Sequence, residues 1–291
     1  MFLINVNKLT LKDPHFPEVL KITKPPIKQL FWTGASPTEW LNKPKVAIVG
    51  SRKFSPYGRT VTDELSRELA SQGIVIISGL ALGIDSIAHR AALEANGCTI
   101  AVLPTPLSNI HPASHLNLAI RIINRGGTLV SEYSDDDDVY KINFVARNRI
   151  VSGLADVLLI TEAAINSGTM HTARFALEQG KTVMAVPGNI TSVGSEGCNN
   201  LIKSGAVAVT DASDVLFALG LKSTRKRAPA LEGSFTLAET KILRLLAEGV
   251  NDQDQLAQAA KLSGSGLSAA LTGLELAGAV RPLGAGRWTS A

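Results

Sequence analysis

The stretch KVAIVGSRKFSPYG, residues 45–58, decides the fold. It opens with the unbroken apolar run Val46 to Val49, which reads as a strand buried on both faces, as in a parallel sheet. The strand ends in Gly50-Ser51-Arg52, with Lys53 next, and after a polar turn Tyr57-Gly58 opens a helix. In open α/β sheets ligands bind outside the carboxyl ends of the strands. A tip that carries a glycine, a hydroxyl and a guanidinium is therefore expected to hold an anion. On this reading the backbone approaches a phosphate at Gly50, Ser51 donates to it, and Arg52 grips it with a two-pronged donor.

Outward from this tip the pattern repeats. Apolar runs at 46–49, 74–77, 99–103, 128–130, 157–160 and 182–186 alternate with helical patterns at 55–72, 85–96, 115–125, 145–152 and 169–179. Such alternation predicts an α/β fold, a Rossmann-like doubly wound and mainly parallel sheet over 45–221. Residues 199–220 add a short helix, a strand at 206–209 and a closing helix from Asp211. Residues 1–44, punctuated by Pro14, Pro17, Pro25 and Pro26, read as an irregular N-terminal leader packed on the main body. Residues 222–234 form a basic linker, and 235–291 hold three short helices and a hairpin around Gly284-Ala285-Gly286, the outline of a small C-terminal winged-helix domain.

Charge is distributed unevenly. The net charge is +4. The linker carries four basic residues against Glu232, whereas 235–291 balance five against five and 1–221 hold twenty against nineteen. The body is not a broad polybasic surface, so any nucleic acid must meet a local cluster of cations. The two cysteines, Cys98 and Cys198, match no metal spacing and point to a reducing interior. No signal-peptide pattern and no membrane-length apolar run are present, so a cytoplasmic protein without a membrane partner is expected.

Several strand ends bring polar residues. Ser78 to Asp85 (SGLALGID) follows the second run, with Asp85 placed to cap the next helix. Glu162 to Thr169 (EAAINSGT) follows the fifth, where Ser167 to Thr169 stand at a helix N-terminus suited to an anion. The loop KINFVARNR, residues 141–149, sets Phe144 three residues after Lys141 and ahead of Arg147 and Arg149. A ring for base stacking beside cations for phosphates is the minimal kit for single-stranded nucleic acid. The structural alternative is that Phe144 fills core space while Arg147 and Arg149 pair with Glu132 or Glu162. No GxGxxG follows the first strand and no GxxxxGK[ST] occurs, which argues against a nicotinamide enzyme or a P-loop ATPase. His111 and His115 lack a third ligand, so no metal site is expected. Asp85, Glu132 and Glu162 could serve as acids or bases, but nothing in the sequence pairs them.

Six motifs in order then carry a resemblance. Gly50-Ser51-Arg52 with Tyr57-Gly58, Ser78 to Asp85, Phe144 to Arg149, Ser167-Gly168-Thr169, Ala185-Val186-Pro187-Gly188, and Asn199 to Ile202 before Gly205-Ala206 resemble the DprA/Smf family over roughly residues 15–220. The resemblance implies a non-enzymatic protein that binds single-stranded DNA with little sequence preference, protects it, and loads the recombinase RecA onto it in recombination and natural transformation. It implies a homodimer and no cofactor. Carried over by motif, Arg52 holds a phosphate, Lys141 and Phe144 supply a cation and a stacking ring, and Asn166, Ser167 and Gly168 line the same pocket. Arg147 and Arg149 support it, and Gly50, Ser51, Lys53, Asn148, Glu162 and Thr169 complete the set. His111-Pro112 stands where the family usually has tyrosine-proline. The third helix of the C-terminal unit, read over Ser265 to Ala277, has no lysine or arginine, which disfavours duplex reading and favours a protein contact. A rival reading is a nucleotide-hydrolysing Rossmann-like enzyme of the lysine-decarboxylase-like phosphoribohydrolase type. Glu162 to Thr169 lacks the double glycine and downstream glutamate of its PGGxGTxxE signature.

Overall fold

The strands of the main sheet are β1 (Asn7–Thr10), β2 (Gln29–Gly34), β3 (Lys45–Val49), β4 (Val75–Ser78), β5 (Thr99–Leu103), β6 (Thr128–Ser131), β7 (Val157–Ile160), β8 (Thr182–Ala185) and β9 (Val207–Ala208). The computed structural model describes residues 5–221, 235–284 and 286–290. The chain divides into two compact units, residues 1–224 and 225–291. In the first unit the strand order is β1-β2-β6-β5-β4-β3-β7-β8-β9. All pairs from β6 to β9 are parallel. The order reverses at β3, which lies between β4 and β7, so the crevice for a ligand falls outside the carboxyl end of β3.

Nine helices flank the sheet among the described residues: α1 (Glu18–Lys21), α2 (Pro56–Ser71), α3 (Ile84–Glu94), α4 (Leu116–Asn124), α5 (Lys141–Ala146), α6 (Asn148–Leu154), α7 (Thr169–Glu178), α8 (Glu196–Lys203) and α9 (Ala212–Ala218). Every residue of β3 is buried, because the strand serves two cores. Val46 and Ile48 pack with Leu65 and Leu69 of α2, Ile84 and Ile87 of α3, and Val215 of α9. Ala47 and Val49 pack with Ile150 and Leu154 of α6 and Ala173 and Ala176 of α7. Burial on both faces removes the polar alternation that a one-sided strand would show.

The leader is more ordered than its prolines suggest. The expectation of an irregular segment is corrected at two places: 7–10 and 29–34 are strands that extend the sheet antiparallel beyond β6. The pairing is long-range, and buried polar contacts lock it. The Trp40 indole donates to Thr128 Oγ1 at 3.0 Å, and that hydroxyl donates to the Ala35 carbonyl at 2.7 Å. Residues 141–149, expected as a loop running into the helical pattern at 145–152, are helical throughout. They form α5 and the start of α6, joined at Arg147, whose amide donates to the Asn143 carbonyl at 2.9 Å.

The second unit comprises α10 (Leu237–Ala247), α11 (Gln253–Ala260), α12 (Gly264–Leu276) and the hairpin β10 (Val280–Gly284) with β11 (Arg287–Ser290). Ile242, Leu246, Leu256, Leu267, Leu271 and Leu274 form its core with Val280. Thr236 and Glu239 close a capping box on α10, and the side chains of Asp252 and Ser263 cap α11 and α12. The exposed face of α12 presents Ser265, Ser268, Thr272 and Glu275, without a cation. The basic linker at 222–234 lies outside the described residues.

Candidate functional site

Four loops at the carboxyl end of the sheet meet around a small cleft of about 50 Å³. The β3 loop contributes Arg52, the β4 loop Gly79, Ala81 and Leu82, the β5 loop Pro104, His111 and Pro112, and the segment after β6 Phe144 and Arg147. The guanidinium at the β-tip and the ring of α5 therefore face the same space. Arg52 is exposed and Phe144 is half-buried, which suits a cation and a platform open to a strand.

Arg147 forms the floor. It is 4% exposed. Its Nη1 donates to the carbonyls of Gly79 and Val102, and its Nε donates to Asn148 Oδ1 at 3.2 Å. A Cβ on Gly79 would press on this guanidinium and force it to shift. Asp85 lies below and accepts from the Gly79 amide at 3.0 Å. It therefore ties the β4 loop to α3 instead of capping that helix, as the sequence had suggested; Gly83 occupies the cap position. Burial pulls Arg147 down to about 10, while Asp85 holds it up and Arg52 adds to the fall. Burial likewise pushes the Asp85 carboxyl up, against Arg147. The pair is a structural support beneath the cleft.

The β3 tip differs in detail from the expected anion cradle. A Cβ on Gly50 would meet Ile84 at 2.6 Å and the Glu162 carbonyl at 2.7 Å, so this glycine serves close packing and leaves no gap for a phosphate. The Ser51 hydroxyl donates to the Lys53 carbonyl and accepts from the Lys53 amide at 3.1 Å, folding its own loop. The N-terminus of α2, where a doubly wound fold commonly holds phosphate, is filled by the protein itself. Glu162, 4% exposed, accepts from the Ser55 amide at 2.9 Å. A Cβ on Gly58 would run into its Oε2. The cationic side chains left exposed at this tip are those of Arg52 and Lys53.

The remaining expected residues divide by position. Lys141 opens α5 one turn before Phe144 and is exposed, outside the cleft lining. Arg149 turns away. It forms a forked ion pair with Glu132, at 3.0 and 2.6 Å, and donates to the carbonyls of Ala146 and Pro25 at 2.6 and 3.1 Å. This is the carboxylate pairing weighed as the structural alternative; it ties α6 to the leader. Asn166, Ser167, Gly168 and Thr169 lie between β7 and the start of α7, at the same end of the sheet but outside the cleft lining. The Ser167 hydroxyl is buried without a hydrogen-bond partner. Six lining residues lie outside the expected set: Gly79, Ala81, Leu82, Pro104, His111 and Pro112. Leu82 is half-exposed on the β4 loop, and His111 sets its ring against Phe144, centroids 4.9 Å apart and planes at 84°. The signal for both was their place after a parallel strand. Among the described residues no cluster of potential ligands could hold a metal, and no helix is long and apolar enough to cross a membrane.

A doubly wound sheet with a cation and a ring at its carboxyl edge is joined in sequence to a unit of three helices and a hairpin. The chain belongs to the DNA recombination-mediator protein A family, whose model matches residues 7–220, and the DprA winged-helix domain matches residues 226–286. It is 49% identical over 172 residues to protein Smf of Escherichia coli, covering 59% of this chain and 46% of that protein. It is 41% identical over 187 residues to DNA processing protein DprA of Streptococcus pneumoniae, covering 64% of this chain and 65% of that one. The chain therefore spans about half to two-thirds of these relatives. Among solved structures, DNA processing protein A from Streptococcus pneumoniae matches with TM-score 0.67 and 36% identity, over 73% of this chain and 74% of that one. DNA processing protein A from Helicobacter pylori, described for its single-stranded DNA binding mode, matches with TM-score 0.65 and 36% identity, over 74% and 96%.

Proposed function

We propose that the chain binds single-stranded DNA in the cleft between Arg52 and Phe144. The observation that carries this reading is that both side chains line one space at the carboxyl end of the sheet. A phosphate meets the Arg52 guanidinium, with Lys53 and Lys141 exposed along the approach, and a base stacks on Phe144. The binding body is residues 45–221, with the leader of 1–44 as its buttress, 222–234 as a basic linker and 235–291 as an accessory unit. Asn166 to Thr169 give a second contact at the β7 edge. Arg147, Asn148, Arg149 and Glu162 act from behind, holding the loops.

The protein is a binder and not an enzyme. In support, the buried carboxylates Asp85 and Glu162 are both committed to backbone amides of neighbouring loops. Its work is to shield single strands and hand them to the recombinase RecA in the cytoplasm, during recombination and natural transformation. It acts as a homodimer; Ile190 and Phe217, 89% and 85% exposed, are the kind of apolar surface a second copy would cover. The winged helix contacts protein in preference to duplex, consistent with an α12 face that carries no cation.

The test is a mobility-shift comparison of wild type, Arg52→Ala and Phe144→Ala on a homopolymeric oligonucleotide and on duplex of equal length. Phe144→Ala should weaken single-strand binding by about 1–3 kcal/mol, the worth of one stacked base. Arg52→Ala should flatten the salt dependence by about 0.7 in log–log slope. Equal affinities for the three proteins would refute the assignment.

A further inference from the structure

We propose that His111 is a second contact for the strand: as a neutral ring it sets the pose of Phe144, and as an imidazolium it adds a cation to the cleft. This rests on the cleft being the site where the strand binds. Edge-to-face is a favoured arrangement of two rings, and the 84° interplanar angle places the imidazole so that it restricts the tilt of Phe144. The loop that carries His111 is held firmly. Leu107 and Ile110 are buried in the core beneath α4, and Ser131 Oγ donates to the Thr105 carbonyl at 2.7 Å. His111 itself stays exposed, beside Pro112 at the rim.

The charges around it decide the sign of the effect. Arg52 faces the cleft from the β3 loop and Arg147 from the joint of α5 and α6. The β4 loop, Gly79 to Gly83, brings no titratable side chain. Lys141 stands on the helix of Phe144. The acidic groups of the neighbouring segment are Asp135 to Asp138: Asp135 is bonded to Ser108 of the His111 loop at 2.5 Å, Asp137 to Ser134 and Asp138 to Tyr140, and none of the four lines the cleft. His115, four residues on, is turned inward, donating Nδ1–H to the Leu80 carbonyl at 2.8 Å. A protonated His111 thus joins a site already rich in cations. A phosphate brought into the cleft adds a negative charge beside the ring and favours its charged form. By linkage, binding takes up a proton, so affinity rises as pH falls through the range in which imidazole changes charge.

The other histidines do not share this position. His89 and His115 are buried, His171 lines a separate cavity with Arg149 and Arg174, and His15 lines another with Phe16 and Lys181. The experiment measures fluorescence anisotropy of a labelled homopolymeric oligonucleotide at about pH 8 and about pH 5.5, across a salt series. Wild type should bind about two- to fivefold tighter at the lower pH, the worth of one rim charge pair, with a salt slope steeper by about 0.7. His111→Phe keeps a ring against Phe144 without a charge, and its affinity ratio between the two pH values should fall to near one. His111→Ala should lose that ratio and also weaken binding at both values, because Phe144 is left unbraced. His171→Gln should keep the wild-type ratio. A His111→Phe protein with the full wild-type gain overturns the inference, as does loss of the gain in His171→Gln. Failure of the underlying reading looks different: Arg52→Ala and Phe144→Ala would then bind like wild type at about pH 8.

Discussion

His89 makes the main unit acid-sensitive by an amount that can be worked out. The residue sits on α3 with no exposed surface. Its Nδ1 lies 2.7 Å from Thr99 Oγ1, and that hydroxyl spends its only hydrogen on the Ile76 carbonyl at 2.8 Å. Nδ1 must therefore be the donor, which leaves Nε2 a bare acceptor, buried and without a partner. A second proton would enter a dry site with no acceptor. Burial, then His115, Arg147 and Arg90, lower the group from 6.5 to about 3. Because the folded value is the lower one, stability is intact above 6.5 and is lost as pH falls from there towards 3. At about pH 5 the unfolded chain has gained the proton and the folded chain has not, a difference of about 1.5 units or about 2 kcal/mol. The assay is urea unfolding in a Trp288→Phe background, so that Trp32 and Trp40 report on the sheet unit alone. Between about pH 8 and about pH 5 the parent should lose about 2 kcal/mol more than His89→Leu. His89→Gln gives the same comparison should the leucine variant fold poorly. Parallel pH profiles for parent and variants would refute the reasoning.

Two further outcomes follow from buried charge. Glu132→Ala strands the Arg149 guanidinium, whose side chain is 5% exposed, and should cost about 3–5 kcal/mol in the same unfolding assay. The double variant Glu132→Leu with Arg149→Met should recover much of that loss, because no charge is left buried. Gly58→Ala pushes against the Glu162 carboxylate and should cost about 1–3 kcal/mol. In a Glu162→Ala background the same change should cost less, and a double-mutant cycle reads the difference.

The parallel core was legible because strands buried on both faces leave unbroken apolar runs, and each of those from Val46 to Ala185 became a strand within about two residues. The leader strands were not, since β2 finds its partner β6 about a hundred residues away, β1 pairs only with β2, and local proline signals dominate the reading. Helix α5 was missed for a different reason: six residues containing Ile142 and Val145 make a poor isolated helix, and its start rests on packing. At the site, residue type foretold which end of the sheet would carry Arg52 and Phe144. It did not foretell that Ser51 would fold its own loop, or that Gly50 and Gly58 would be fixed by packing. Those depend on which neighbour fills the space, and only the crossing of loops decides that.

The carboxylate of Glu162 has a consequence for what the protein can select. A free nucleotide bound to a doubly wound fold draws much of its affinity from the amides at the head of the first helix, and here those amides already face a fixed negative group. On the proposed reading, a lone monomer would find one guanidinium and one ring, whereas a polymer would lay several charges along Arg52, Lys53 and Lys141 together. By occupying its own anion position, such a site would turn from small molecules towards length.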